Sequence, residues 1–342
     1  MPIPATYDYF PDHGGSGKEK YQPVLWPYTF VTWTGSDGKT IPLTGDIQCQ
    51  SSPVGIGILR GPQALDMPTY DLKSDALPNL AGSLFKSVRA TSRDITIPIR
   101  IQALDRKSLI EMKQYLFHSL NPYRGPGKIT VTEGDGSPRH LECYYVDGAQ
   151  GAEGEDQAGF VFIQYALVFR AMAPYWSSNR HEQFDWHIAS QHDKPFFSDQ
   201  FLPLQVGSSG FTPGTPVTVT NDSSLECWPV WQVSGSITAL SLTNETTHET
   251  TGETIRESFA FLDDFTINKG QTATIDTSPS IKSVVLNDGG PEQNLWPKVK
   301  TASSMWSLKP GDNTITINGA KPDEFTFVRL TFIPRYLSYS GG

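Results

Sequence analysis

Between Arg93 and Gln102 apolar and polar side chains alternate. Ile95, Ile97, Ile99 and Ile101 share one face, and Arg100 and Gln102 share the other, which is the period of a half-buried strand. After Asp105 the period changes. Leu109, Ile110, Met112, Leu116, Phe117 and Leu120 recur at helical spacing, while Arg106, Lys107, Glu111, Lys113 and Gln114 face away. Asp105 suits the N-cap, because its carboxylate can accept from the free amides of the first turn. Pro122 stops the pattern and pushes Asn121 out of helical geometry. The spacing therefore predicts a helix over 105–121. Burying its six apolar side chains would contribute on the order of 10 kcal/mol, at about 1.5–3 kcal/mol for each large one. That gain needs an apolar surface opposite, so the helix is expected to lie on a sheet.

The flanking pattern is strand-like. Val24–Trp33 and Ile41–Leu43 are joined by a Gly35-Ser36-Asp37-Gly38 turn, and residues 1–20 precede them as a polar tail. Lys128–Glu133 and Arg139–Val146 form a hairpin across Gly134-Asp135-Gly136, and 148–159 is an acidic loop tip. Phe160–Met172 is one long strand, stopped by Pro174-Tyr175-Trp176. Residues 53–92 carry Pro53, Pro62, Pro68 and Pro78, which exclude a long helix. They read as an extended arm or belt, and a loop this long inside a compact domain is usually functional. Its contact candidates are Leu59, Arg60, Leu65, Met67, Tyr70, Leu84 and Phe85. Residues 177–215 show no period and read as a linker. From Pro216 to Tyr339 short strands follow one another between Gly-rich turns, the pattern of a β-sandwich or jelly roll. The expected organisation is mainly β. A first domain spans 1–176, with one helix and the belt arm at 53–92, and a second β-sandwich spans 216–342.

Composition narrows the function. The chain has 342 residues, 37% of them apolar, and a net charge of −9. An acidic chain without clustered Lys and Arg argues against a nucleic-acid-binding surface. Cys49, Cys143 and Cys227 fit neither a disulfide framework nor a zinc spacing, which points to buried thiols in a reducing cytoplasm. Met1–Phe10 offers no signal peptide, and no apolar run reaches membrane-spanning length.

Candidate chemistry is sparse. Gly55-Ile56-Gly57-Ile58-Leu59-Arg60-Gly61 is one residue too long for a dinucleotide fingerprint, and Pro62 blocks the helix that should follow. Gly14-Gly15-Ser16-Gly17-Lys18 lacks the leading Gly and the hydroxyl residue of a phosphate loop. His181, His187 and His192, with Glu182 and Asp193, are the densest group of potential ligands, but their spacing matches no metal site. Asp263-Asp264 cannot converge on one glycosidic bond from adjacent positions. Glu153, Glu155 and Asp156 lack the alternation of a calcium loop. Trp228, Trp231, Trp296 and Trp306 raise the question of saccharide stacking. Trp231 and Trp306 are expected in the core, whereas Trp228 and Trp296, each beside a proline, are left as possible saccharide or partner contacts. No catalytic residue, cofactor or metal site is expected.

Several turn and strand-end motifs are familiar together. Leu120-Asn121-Pro122 precedes Gly125 and Gly127; Arg139-His140-Leu141-Glu142-Cys143-Tyr144-Tyr145 follows, then Phe169-Arg170-Ala171 and Pro174-Tyr175-Trp176. In the second half come Asn221, Pro229 and Gly235, then Leu242-Thr243-Asn244 leading to Thr251-Gly252-Glu253. Gly270-Gln271 precedes Ile275-Asp276-Thr277, and Leu308-Lys309-Pro310-Gly311-Asp312-Asn313 precedes the last strands. Over most of 90–342 the chain resembles the distal tail proteins of long-tailed, non-contractile phages. These motifs also make physical sense alone. Pro310-Gly311-Asp312-Asn313 is a tight turn feeding a strand, and Asp276 ends a strand with a side chain that can tie its own turn.

The resemblance implies an N-terminal β-sandwich-type domain with one helix and a belt, and a C-terminal galectin-like sandwich. It also implies a hexameric ring that joins the tail tube to a tail-tip hub protein and to receptor-binding proteins. The protein would be synthesised in the bacterial host cytoplasm and found in the virion. Such a lumen passes DNA without gripping it, which suits an acidic chain, and no membrane insertion is implied. The alternatives are a carbohydrate-binding adhesion module, which would engage host cell-surface carbohydrate, and an enzyme such as a glycoside hydrolase. The last lacks convergent acids.

Overall fold

A computed structural model of the chain describes residues 29–44, 55–59, 61–77, 81–133, 137–151, 161–188, 210–211, 213–247, 252–323 and 325–340. The polar tail at 1–20, the start of the first expected strand, Cys49, Arg60, the 134–136 turn, most of the acidic loop, His192 and Asp193 lie outside the described residues.

The first domain contains β1 (Phe30–Thr34), β2 (Thr40–Pro42), β3 (Gly55–Ile58), β4 (Tyr70–Ala76), β5 (Ser83–Ala90) and β6 (Arg93–Gln102). Helix α1 (Arg106–Leu120) follows, then β7 (Gly127–Thr132), β8 (Pro138–Asp147), β9 (Phe162–Ala171) and β10 (Trp176–Ser178). One sheet runs in the order β2-β1-β7-β8-β9-β6-β3. It bends at β8, whose first half pairs with β7 and whose last residues pair with β9 across a register shift between Tyr145 and Asp147. The bend folds the sheet on itself, and the rings of Trp33 on β1 and Phe169 on β9 stand 4.7 Å apart in the core. Ile95, Ile97, Ile99 and Ile101 are all buried, as the alternation predicts.

Helix α1 starts where Asp105 caps it, its carboxylate accepting the Ser108 amide at 2.8 Å. The expected apolar face is only partly buried. Leu109, Leu116 and Leu120 enter the core and Met112 packs at its margin, but Ile110 and Phe117 remain about two-fifths exposed. Ser119 turns inward instead and accepts the indole N–H of Trp33 at 2.9 Å.

The second domain begins earlier than the sequence pattern indicates. The stretch read as a linker at 177–215 completes β10, which pairs with β8 in the first sheet, and supplies β11 (Glu182–Ile188) and β12 (Gly210–Phe211) to the second domain. β11 pairs with a strand 140 to 150 positions later, and long-range pairing of this kind leaves no local period to read. Next come β13 (Pro216–Asn221), β14 (Val230–Ser234), β15 (Ile237–Thr247), β16 (Thr254–Ala260), β17 (Thr266–Ile267) and β18 (Thr272–Asp276). The chain ends through β19 (Ser283–Asn287), β20 (Gln293–Asn294), β21 (Gly311–Ala320), β22 (Phe327–Phe332) and β23 (Arg335–Tyr336).

Two sheets, β12-β11-β22-β14-β18-β19-β20 and β13-β21-β15-β16 with β17 beside β15, face each other as a sandwich. Trp231 and Trp306 meet edge to face between them, ring centroids 5.6 Å apart. Turn chemistry follows the sequence reading. The Asp276 carboxylate accepts the Ser278 amide at 2.8 Å, and the buried Asn313 amide donates to the carbonyls of Lys309 and Gly311 at 2.8 and 3.0 Å. At Gly235, between β14 and β15, φ is +93° and a Cβ would lie 2.5 Å from the Thr326 Cα, so only glycine fits.

Candidate interaction surfaces

The 53–92 segment, expected as a single extended excursion, is divided. β3 pairs with β6 at the edge of the main sheet, the Leu59 amide donates to Pro98, and Gln63 bridges to Thr96. Leu59 and Leu65 are half-buried, Leu65 against the first core, so neither belongs to a free arm. The excursion proper is a hairpin, β4 with β5, which pairs with nothing else among the described residues. The Thr69 carbonyl closes its base by accepting the Thr91 amide at 2.9 Å.

Every residue of β4 is exposed, and so are all but the last of β5. Residues directly opposite one another across the pair share a face. Tyr70 opposes Ala90, Leu72 opposes Val88, Ser74 opposes Phe85, and Ala76 opposes Ser83. The other face carries Asp71 opposite Arg89, Lys73 opposite Ser87, and Asp75 opposite Leu84. A bulge between Lys73 and Ser74 inserts Lys86, which pairs with Asp75. The same bulge moves Phe85 onto the face of Leu72 and Val88. The arm is thus amphipathic, with an uncovered face of Tyr70, Leu72, Phe85, Val88 and two alanines. Leu72, Phe85 and Val88 are 65%, 60% and 53% exposed.

Of the sequence candidates, Tyr70 and Phe85 lie on this face, Leu84 lies on the opposite one, and Met67 is exposed ahead of β4. Arg60 lies outside the described residues. Leu72 and Val88 were missed, although Tyr70, Leu72 and Ala76 recur at the strand period and carried the signal.

The root of the arm is held firmly. The Leu65 carbonyl accepts from the Arg93 guanidinium at 2.9 Å and from the Trp176 indole at 2.8 Å. Asp66 accepts from the Ser338 hydroxyl at 2.8 Å, and Tyr339 stands edge-on to Trp176. Ala64 adopts a left-handed backbone (φ 62°), uncommon for a non-glycine residue. The arm therefore projects from a fixed base.

The two tryptophans left open by the sequence are not brought together. Trp228 is half-buried and lines a cleft of about 570 Å³ where the domains meet, with Ser177, His181, Asp276, Ile281 and Arg335 among its walls. Trp296 is 42% exposed on a separate 3-10 turn and does not line that cleft. Of the histidine group around His181, His192 and Asp193 lie outside the described residues, and His181 lines the junction cleft. His187 sits on β11 with its ring 4.8 Å from that of Phe327. Among the described residues no group of three His, Cys, Asp or Glu is placed to hold a metal ion, and no helix is long and apolar enough to cross a membrane.

No protein-family model matches the chain, and no curated protein matches it. Solved structures do. The SPP1 Dit (gp 19.1) protein, described as a paradigm of the hub adsorption apparatus of phages infecting Gram-positive hosts, is 13% identical. The likeness covers 90% of this chain and 99% of that one, with a TM-score of 0.58. A chain of the phage P2 baseplate in its activated conformation with calcium is 9% identical over 90% of this chain and 98% of that one, with a TM-score of 0.47. At such low identity the shared property is the architecture, and by architecture this chain has the fold of the SPP1 Dit protein.

Proposed function

We propose that this chain is a structural subunit of a phage tail tip or baseplate, with six copies closing into a ring that acts as its hub. The ring joins the tail tube to a tail-tip hub protein and to receptor-binding proteins, and the chain has no catalytic role. It is made in the bacterial host cytoplasm and works in the virion. The observation that carries this reading is the β4–β5 arm. An isolated two-stranded hairpin is at best marginally stable in water, so one with an uncovered apolar face is built to be completed by another molecule. The likeness in fold to a phage hub protein supports the same reading. The net charge of −9 suits a lumen that passes DNA without holding it.

Light scattering of the purified full-length chain, alone and mixed with its tail tube protein, tests this. A mass of six copies is expected, and a monomer in both conditions would overturn it.

A second reading, saccharide binding, rests on Trp228 beside Asp276 and Arg335 in the junction cleft. An aromatic face next to charged hydrogen-bonding groups suits a sugar ring. A glycan array with wild type, Trp228→Ala and Trp296→Ala decides it. Binding lost only with Trp228→Ala supports the reading, and an array without binding removes it.

A further inference from the structure

The saccharide reading of the junction cleft leaves open which sugars it would take. We propose that the cleft takes an acidic saccharide, a sugar ring stacked on Trp228 whose single negative charge, carboxylate or phosphodiester, is met by Arg335. This rests on the saccharide reading and names its ligand class.

The first observation is an unengaged tryptophan. Trp33, Trp176 and Trp306 each donate their indole N–H inside the chain. Trp228 is half-buried in the cleft wall and, among the described residues, has neither an indole hydrogen bond nor a ring partner. Its face is left to stack on a ligand and its N–H to donate to one. The cleft, about 570 Å³, has the size of a small-ligand site.

The second observation is an unpaired cation in the same wall. Arg170 and Arg329 each hold an aspartate with two hydrogen bonds. Arg335 lines the cleft and forms no ion pair among the described residues. Its guanidinium lies 4.9 Å over the Tyr175 ring. Glu226, close enough to feel its charge, is already taken by Lys309 and Ser307 at 2.6 and 2.9 Å. A half-buried guanidinium with free N–H donors suits carboxylate or phosphate oxygens.

The third observation selects a sugar among anions. Thr331, Val230 and Asp276 stand abreast on three neighbouring strands, because Val230 pairs with Thr331 on one side and with Asp276 on the other. Thr331 and Asp276 are thus two strand spacings, about 10 Å, apart, which leaves room for one sugar ring over Val230. One Asp276 oxygen accepts the Ser278 amide, and the other has no partner among the described residues. The hydroxyls of Ser177, Ser280 and Thr331 are also without a hydrogen bond among those residues. A ring bearing several hydroxyls satisfies these groups, whereas an apolar anion would leave them unpaired. Asp276 also limits the ligand to one negative charge, since a dianion would be repelled.

The experiment titrates the full-length chain by calorimetry with oligosaccharides carrying one glucuronic acid, with their carboxyl-reduced neutral counterparts, and with a sugar phosphodiester. An acidic form is expected to bind at least about tenfold tighter than the neutral one, and the two acidic probes tell carboxylate from phosphodiester. This preference should shrink in high salt, disappear in Arg335→Gln and survive in part in Arg335→Lys. Trp228→Ala should lose acidic and neutral binding alike. The salt dependence of the wild type keeps the test readable should Arg335→Gln fail to fold. Equal binding of acidic and neutral sugars, or an acidic preference that survives Arg335→Gln or high salt, would overturn the acidic class and leave the saccharide reading standing. No binding to these probes and none on the glycan array would overturn both.

Discussion

Arg93 donates to the backbone carbonyl of Leu337, 244 positions further along the chain, at 3.0 Å. The same buried guanidinium donates to Leu65 at the root of the arm, so one side chain ties the arm to the end of the second domain. Around it the Ser338 carbonyl accepts from Arg139 at 3.0 Å, and Arg139 lies 3.6 Å over the Tyr336 ring. β23 completes the strap by pairing with β10. The arm's base and the relative position of the two domains are therefore set by the last residues described.

Arg93→Met tests this directly. It removes the donor to Leu65, which keeps the Trp176 indole, and leaves the part-buried Leu337 carbonyl without that donor, at a cost of about 1–3 kcal/mol. The expected outcome is a lower melting temperature by calorimetry, together with faster protease cleavage at 64–69. Unchanged cleavage would show that the arm's root does not depend on the strap.

Trp33 and Ser119 make a second long-range bond, which fixes the end of α1 on the sheet. Ser119→Ala should orphan the buried indole N–H and lower the unfolding free energy by about 1–3 kcal/mol. Adding Trp33→Phe should cost less than the sum of the two single changes, because the bond is already lost. Urea denaturation of the four variants reads this coupling.

Acid stability follows from two carboxylates. The Arg170 guanidinium bonded to Asp94, and the Arg329 guanidinium bonded to Asp185, hold both acids below the usual carboxylate range. A pKa depressed by folding contributes stability that is complete above the unfolded value, about 3.9, and is lost as pH falls through the folded one. Both pairs are partly exposed, so the effect is modest. The contribution of these two pairs to the melting temperature should be constant from neutrality to about pH 5 and fall below about pH 4, more gently in Asp185→Asn. The half-buried His140, whose pKa is held down by burial, adds a separate loss as pH falls below about 6.5. A fall that begins above neutrality would point to other groups.

Burial pushes the Cys143 thiol up to about 12, and Cys227 is raised for the same reason. Thiolate is the reactive form, so both should resist a thiol reagent at pH 8 in the native protein and react once denaturant is added. Peptide mapping after labelling distinguishes them from Cys49.

Much of the architecture was legible in the sequence because it depends on local rules. The isoleucine alternation at 95–101, the Asp105 cap, the Pro122 stop and the turns at Asp276 and Asn313 each need only neighbours within a few positions. The site was less legible. Tyr70 and Phe85, singled out from the sequence, lie on the arm's apolar face, and so do Leu72 and Val88, which the sequence reading passed over. The bulge that puts Phe85 beside them is a property of pairing, visible only once β4 and β5 are set against each other.

By itself the sequence determined a mainly β chain with one helix, an acidic surface, and a proline-bearing segment that could not be helical. Tertiary structure alone decided that β3 belongs to the main sheet, that β11 belongs to the second sandwich, and that Ile110 and Phe117 are left partly exposed while Ser119 goes in. The physical reason is common to all three. Periodicity states that a face is apolar, but which partner covers it, or whether any does, is fixed by contacts between residues far apart along the chain.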